Sequence, residues 1–378
     1  MHKLIYIIPA LFIAGITHAQ PIFTADFEDA TLDDMAVQWN EAKNLSGMAF
    51  SDDVPPGSPG TQSLMMTAEI GQNTGGHLYK MFPDGFDSLY ARFYVKFSPT
   101  HSPVHHFVHM GGYNPPTRWP QGGAGERPVG NERFTTGIEP FGDNWSWDFY
   151  SYWMHMRGNP VPNRYWGNNF LPQPPAPVTR GEWQCVEFMM KCNDPVNAFN
   201  GEQAFWVDGK KVLHLQQGSP RGYWVWDTFH HHPDSAGFEG FQWRSDPDLR
   251  VNFFWLLYYM TAGPNGQRDT VWFDDVVIST EYIGPHGTTA ALTAQQSSET
   301  FSMVVYPNPA RGIVTLELNG SGHRRIRLDL FDTYGRHVWS SSGSMRTTSI
   351  QVDHLPPGYY QLVGSKGGEV QSRSVLIY

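Results

Sequence analysis

The sequence predicts an all-β protein, a large β-sandwich followed by a smaller one. Three observations carry that prediction. Aromatic residues make up 15% of the chain and charged residues only 16%, and 38 Gly and 29 Pro are spread over 378 residues. Helices favour Ala, Leu, Glu and Lys and are broken by Pro and Gly, so this mixture favours strands and ordered loops. Apolar and polar residues also alternate in many short runs bounded by turn residues, which is the period of half-buried strands. Finally, the composition changes once along the chain, close to residue 290.

The N-terminus reads as an export signal. Met1-His2-Lys3 is a short basic start, residues 4–16 are apolar apart from Tyr6, Pro9 and Gly15, and Thr17-His18-Ala19 offers small residues for cleavage after Ala19. An apolar run of roughly 13 residues is shorter than the ~20 a spanning helix needs, so no transmembrane segment is expected once the signal is removed. The net charge of −10 argues against nucleic acid, which requires a basic face.

Residues 20–284 are expected to form one large domain. Residues 88–97 place Leu89, Ala91, Phe93, Val95 and Phe97 on one face and Tyr90, Arg92, Tyr94 and Lys96 on the other. Further strands are predicted at 105–110, 147–156, 183–191, 203–207 turning at Asp208-Gly209 into 211–215, 251–260 and 270–279. The run 251–260 is apolar on both faces, as a central strand covered on both sides would be. Many strands without a helical layer point to a jelly roll, whose concave sheet would carry any cleft. Cys185 and Cys192, the only cysteines, stand seven apart on one run. That spacing puts them ~23 Å apart on opposite faces, so two free, mostly buried thiols are expected.

Several groups in this segment carry chemistry. Thirteen of the fourteen Trp lie between Trp39 and Trp272, and Trp119, Trp145, Trp147, Trp166, Trp224 and Trp226 stand in surroundings rich in Gly, Pro and Asn. Flat rings beside a groove stack on sugars, or else staple loops onto the sandwich. On a regular strand His105, Phe107 and His109 would share a face. Imidazole is a natural general base and a common metal ligand. Positions four apart on a strand are ~13 Å apart, so His105 and His109 are not expected to share an ion. His230, His231 and His232 are expected in a loop. Asp148, Tyr150 and Tyr152 share a face.

Laid beside the Tyr90/Arg92/Tyr94/Lys96 face and the Glu187/Lys191 face, these residues would line a groove with cations, phenols and imidazoles. That set suits β-elimination on a uronic-acid polymer. Arg92, Lys96 or Lys191 would neutralise the carboxylate, a His or Tyr would take the acidified proton, and a Tyr would protonate the leaving oxygen. The alternatives are a groove that only binds glycan and, third, a glycoside hydrolase. Hydrolysis with retention needs two carboxylates about 5 Å apart, and the sequence has no Glu-x-Asp-x-x-Glu run. Glu28, Asp274 and Asp275 are candidates to hold a structural calcium where first and last strands meet. No other cofactor is required.

Residues 285–300 read as a linker, small and polar from Thr288 to Ser298. From residue 301 onward eight Lys and Arg face five Asp and Glu, so the −10 of the whole chain is −13 before that point. Alternating runs at 313–318, 326–331 and 359–363 predict a small β-sandwich. Val305-Tyr306-Pro307-Asn308-Pro309-Ala310, Asp332-Thr333-Tyr334-Gly335-Arg336 and Leu355-Pro356-Pro357-Gly358-Tyr359-Tyr360 closely resemble the three landmark blocks of type IX secretion sorting domains, which are small and Ig-like. The resemblance implies passage across the outer membrane by the type IX machinery, usually with removal of the tail and often attachment to surface lipopolysaccharide.

A second resemblance covers most of residues 22–283. Gly181-Glu182-Trp183-Gln184-Cys185-Val186-Glu187, then Asn200-Gly201-Glu202-Gln203-Ala204-Phe205-Trp206-Val207-Asp208-Gly209-Lys210, then Trp272-Phe273-Asp274-Asp275-Val276-Val277-Ile278-Ser279 are similar to strands of concanavalin-like polysaccharide lyases of the glucuronan- and alginate-lyase type. On that resemblance His105 falls where the lyases often have a lysine before a Gly-Gly corner (here Gly111-Gly112), and Tyr150 and Tyr152 fall on their catalytic-strand tyrosines. Their Lys-Leu-Pro-Gly run is absent, and Trp153 replaces a histidine. The expectation is a secreted or surface-displayed lyase of an anionic glycan. Its proton transfer would be drawn from His105, His109, Tyr150 and Tyr152, and its binding from Arg92, Tyr94, Lys96, Glu187, Lys191, Trp119 and Trp166.

Overall fold

The computed structural model describes residues 21–261, 263–286, 302–319, 326–332, 336–343, 347–366 and 369–378. The expected export signal, and the expected linker beyond His286, lie outside the described residues. The chain divides into two compact units, residues 1–292 and 293–378.

The strands of the large unit are β1 (Phe23–Ala25), β2 (Glu41–Lys43), β3 (Met48–Ser51), β4 (Ser63–Glu69), β5 (Gly75–Phe86), β6 (Ser88–Phe97), β7 (Val108–Tyr113), β8 (Arg133–Phe141), β9 (Ser146–Tyr152), β10 (Asn168–Phe170), β11 (Gln184–Lys191), β12 (Glu202–Val207), β13 (Lys210–Leu215), β14 (Gly222–Val225), β15 (Thr228–His231), β16 (Val251–Tyr259) and β17 (Arg268–Ser279). An eight-stranded sheet runs β13-β12-β11-β6-β17-β4-β3, with β1 paired to β17. A nine-stranded sheet runs β14-β15-β10-β9-β8-β7-β16-β5-β2. The one α-helix among the described residues, α1 (Leu32–Val37), is six residues long and capped by Thr31, whose hydroxyl accepts the Asp34 N–H.

The alternation in residues 88–97 survives intact. Leu89, Ala91, Phe93, Val95 and Phe97 are buried between the sheets, and the Phe93 ring lies within 6.5 Å of Phe107, Phe188 and Phe273. Each such burial stabilises by roughly 1.5–3 kcal/mol. The doubly apolar run became β16, flanked by β7 and β5. Phe254, Leu256 and Tyr258 face the core, while Phe253 and Trp255 join Tyr79 and Tyr113 on the outward side. The β12–β13 hairpin turns on Asp208 and Gly209 with φ of 50° and 77°. Positive φ at both central residues is what a tight two-residue hairpin demands. Cys185 and Cys192 are free and buried.

The histidine strand departs from expectation. It begins at Val108 rather than 105. Just before it the backbone N–H groups of His105 and His106 both donate to the Tyr259 carbonyl, at 3.0 and 3.2 Å. Two residues opposite one is a β-bulge, and it shifts the alternation by one position. His230 and His231, expected in a loop, lie on β15.

The small unit pairs β18 (Ser302–Tyr306), β19 (Ile313–Asn319) and β22 (Thr347–Gln351) in one sheet. A second holds β21 (His337–Gly343), β20 (Ile326–Asp332), β23 (Gly358–Lys366) and β24 (Glu369–Ile377). Its core contains Met303, Val314, Leu316, Leu328, Leu330, Ile350, Leu362 and Val375. Residues of the landmark blocks stitch the turns. Asn308 Oδ1 accepts the Leu376 N–H at 2.9 Å, and the Tyr360 hydroxyl donates to the Pro356 carbonyl at 2.7 Å. Among the described residues no helix is long and apolar enough to cross a membrane.

Candidate functional site

Strand register assembles a polar row on the outward face of the nine-stranded sheet. His109, Gly137 and Tyr150 lie opposite one another across β7, β8 and β9. Trp255 continues that row on β16. One pair along, Glu139 opposes Asp148, and one pair the other way Thr135 opposes Tyr152. Two adjoining hollows of about 720 and 190 Å³ open over this face, sharing His106, Gln121, Gly122, Trp255 and Leu257 in their walls. Tyr113 tethers the loop above them, its hydroxyl accepting the Gln121 N–H at 3.1 Å.

The side chains of the floor are mutually engaged. His106 Nδ1 lies 3.3 Å from Glu139 Oε2, and the same oxygen accepts the Phe107 N–H at 3.0 Å. Burial pulls the His106 pKa down, but the hydrogen bond and charge of Glu139 outweigh it, leaving it above the ordinary imidazole value. His109 Nδ1 lies 2.7 Å from the Phe107 carbonyl. A carbonyl only accepts, so Nδ1 carries the hydrogen and Nε2 the lone pair. A Cβ at Gly137 would stand 2.8 Å from that Nε2, so only glycine fits beneath the ring. Burial pushes His109 down to about 4, so it is neutral at neutral pH.

The Tyr150 and Tyr152 hydroxyls are 3.4 Å apart, and the Tyr150 ring lies 5.2 Å from that of His106. Burial, and then Tyr152, raises the Tyr150 phenol above its usual range. Asp148 is buried, and neither carboxyl oxygen finds a hydrogen-bond partner among the described residues. Burial and then Glu139 push it well above the carboxylate range. One ligand atom from each of His106, His109 and Glu139 falls within 4.8 Å of the others.

Sequence reasoning placed Tyr150, Tyr152 and His109 together, and the structure does so. It leaves His105 exposed at the rim, its ring 5.3 Å from Tyr259, because the bulge gives His106 the inward position. It also missed Glu139. The alternation Phe134-Thr135-Thr136-Gly137-Ile138 between Gly130 and Gly142 was the available signal for β8.

The expected carboxylate binders are elsewhere. Arg92, Tyr94, Lys96, Glu187 and Lys191 lie on β6 and β11 of the eight-stranded sheet. Residues 283–286 of the same chain cover Glu187 and Tyr94. Glu187 accepts the N–H groups of Ile283 and Gly284 at 2.8 and 2.7 Å, and burial pushes its pKa up to about 7. The Tyr94 hydroxyl accepts the His286 N–H at 2.6 Å, and the two rings stack at 4.4 Å. Arg92 is 3% exposed, its guanidinium 5.3 Å from the Tyr94 ring. Lys96 pairs with Asp53, and Lys191 with Glu202 at 2.7 Å.

Trp145 and Trp147 are core residues, whereas Trp119, Trp166 and Trp226 remain exposed. At the proposed calcium position Glu28 already accepts the Thr61 and Gln62 N–H groups, both at 2.6 Å. Asp274 and Asp275 flank the Ser58 hydroxyl at 3.4 and 2.9 Å, and burial, then Asp275, pushes Asp274 up to about 8.

No curated protein matches the sequence. Among solved structures the chain is similar to alginate lyase Aly36B in complex with an alginate trisaccharide, at 14% identity and a TM-score of 0.40 over 64% of this chain and 87% of that one. It is also similar to a cellulose-induced protein, at 14% identity and a TM-score of 0.33 over 63% and 88%. A third is the carbohydrate recognition domain of Emp47p, at 8% identity and a TM-score of 0.32 over 62% and 89%. At these identities the likeness concerns the fold alone. Residues 304–378 match the secretion system C-terminal sorting domain. The chain thus joins an all-β domain to a sorting tail of that family, and such a tail implies export to the cell surface or beyond.

Proposed function

We infer that the large domain acts on an anionic, uronic-acid glycan and cleaves it by β-elimination. The observation that carries this reading is the convergence of two phenols, Tyr150 and Tyr152, with the imidazoles of His106 and His109 on the floor of one hollow. Elimination moves the proton beside the uronate carboxylate to an acceptor. Its electrons form the new carbon–carbon double bond, and the glycosidic oxygen leaves with a proton. Tyr150, kept protonated by burial and by Tyr152, is the donor to that oxygen, and His106 or Tyr152 is the acceptor. Trp119 and Trp166, both exposed, offer faces for flanking sugars.

Export is part of the same proposal. A signal cleaved after Ala19 takes the chain across the inner membrane, and the type IX machinery reads the tail. A structural calcium beside Asp274 and Asp275 also belongs to it, supported by two adjacent buried carboxyl groups.

Ultraviolet absorbance over time, with a panel of uronic-acid polymers, tests the reaction, because the new double bond conjugated to the carboxylate absorbs. Tyr152→Phe is expected to slow turnover by about 10²–10⁴-fold while leaving retardation in an affinity gel nearly unchanged. A flat trace for the wild type together with retardation by one polymer makes the groove a binding site only. Neither signal ends the glycan reading.

A further inference from the structure

Among the described residues, Lys43 and Arg133 are the cations in the walls of the two hollows, and neither is among the groups that act on His106, His109 or Asp148. Acidifying the hydrogen beside a carboxylate takes positive charge at that carboxylate, yet Arg92, Lys96 and Lys191 lie on the other sheet. Arg133, which lines the smaller hollow, donates to the carbonyls of Gly123 and Glu126 at 3.3 and 3.0 Å. The charged groups that bear on His106, His109 and Asp148 are Glu139 and the imidazoles themselves. Glu139 and Asp148 lie side by side, 7% and 1% exposed; Glu139 pairs with His106 at 3.3 Å, and Asp148 has both oxygens unpartnered among the described residues. A buried carboxyl group that stays ionised is ordinarily paired or coordinates a metal.

We propose that His106, His109 and Glu139 bind one divalent transition-metal ion of the Zn²⁺ type, with an open coordination position that takes the carboxylate of an acidic sugar. The second clause rests on the elimination reading; the first does not. The three ligand atoms lie within 4.8 Å of one another. A tetrahedral zinc, with nitrogen and oxygen ligands at ~2.1 Å, would hold them ~3.4 Å apart, so the widest pair closes by ~1.4 Å at most. His109 is already in a ligand's posture. Its Nδ1–H is fixed by the Phe107 carbonyl, which is how ligating imidazoles are usually oriented, and that leaves the lone pair on Nε2. Two imidazoles with one carboxylate select zinc-like ions over calcium or magnesium, which prefer oxygen. Three protein donors and an open position are the pattern of a working site rather than a structural one. With His106 held by the ion, accepting the proton falls to Tyr152, and Tyr150 remains the donor.

The test uses the full-length protein stripped by a chelator, titrated with Zn²⁺ by calorimetry and with Co²⁺ by visible absorbance. One equivalent is expected to bind, with affinity lowered by about tenfold or more in His106→Gln, His109→Ala and Glu139→Gln, and unchanged in His105→Ala. The exposed His105 neighbours His106 and controls for chance binding to a surface imidazole. His109 is buried, so if its variant fails to fold, the half-buried His106 decides. No uptake by the wild type, or equal uptake by His106→Gln, overturns the site. If metal binds but a polymer is cleaved equally fast with and without chelator, the open-position role falls and elimination stands. Metal uptake with no polymer cleaved in its presence leaves the site standing and sinks the lyase reading.

Discussion

The two outward faces of the large domain look alike as sequence and are opposite as structure. On β6 and β11, Arg92, Tyr94 and Glu187 alternate with core residues, as Asp148, Tyr150 and Tyr152 do on β9. The first set is sealed by residues 283–286, and Tyr150 and Tyr152 of the second face an open hollow. A run of polar residues opposite a core face therefore shows only that something polar lies beyond the sheet. Whether that something is the chain itself or a ligand depends on segments far away in sequence.

Predictions that separate the two faces follow from that difference. The largest effect is expected at Glu187. Glu187→Ala leaves two buried backbone donors without their acceptor and should cost about 2–6 kcal/mol, read as a lowered midpoint in urea, with metal uptake per folded molecule unchanged. A fall in uptake as large as that of Glu139→Gln would show that the faces are coupled. Glu187→Gln isolates the charge. A carboxyl whose pKa rises from 4.5 to about 7 on folding contributes stability that is full below pH ~4.5 and lost as pH rises through 7. That amounts to about 3 kcal/mol by pH 8. The Gln variant should lose this part of the pH slope; an unchanged slope removes Glu187 as its source.

A smaller effect is expected at Asp274. Millimolar calcium should raise the melting midpoint of the wild type by binding the folded state alone, and should leave Asp274→Asn unmoved. Equal midpoints for the wild type with and without calcium remove the ion. The smallest effect is at Lys191, whose pair with Glu202 is half-exposed. Lys191→Ala should change stability by less than about 0.5 kcal/mol and turnover not at all, and a loss of turnover would return the groove to the wrong sheet.

Much of this was legible in the residues. The core face of β6, the doubly apolar β16, the Asp208-Gly209 turn and the free cysteines follow from period, burial and turn chemistry, all local. The pairing of Tyr150 with Tyr152 follows from their spacing. What was not legible required knowing which strands are neighbours. Arg92 has the correct parity but sits in the other layer, since period two assigns a side and never a sheet. His106 displaced His105 because a bulge opposite Tyr259 shifts the alternation, and nothing in His105-His106-Phe107 marks it. Glu139 was missed because its strand also contains Gly137 and Pro140, residues that ordinarily count against a strand.

The order of the eight-stranded sheet bears on when the domain can close. β17, in the middle of that sheet between β6 and β4, is the last strand of the large domain to be synthesised. Until residues 268–279 have emerged, β6 and β4 each present an unpaired edge to the wrong neighbours, and β1 has no partner at all. The domain therefore cannot close behind its own leading end. A chain that emerges N-terminus first keeps this sheet divided, and it is sealed only when the last strand slides in and His286 settles on Tyr94.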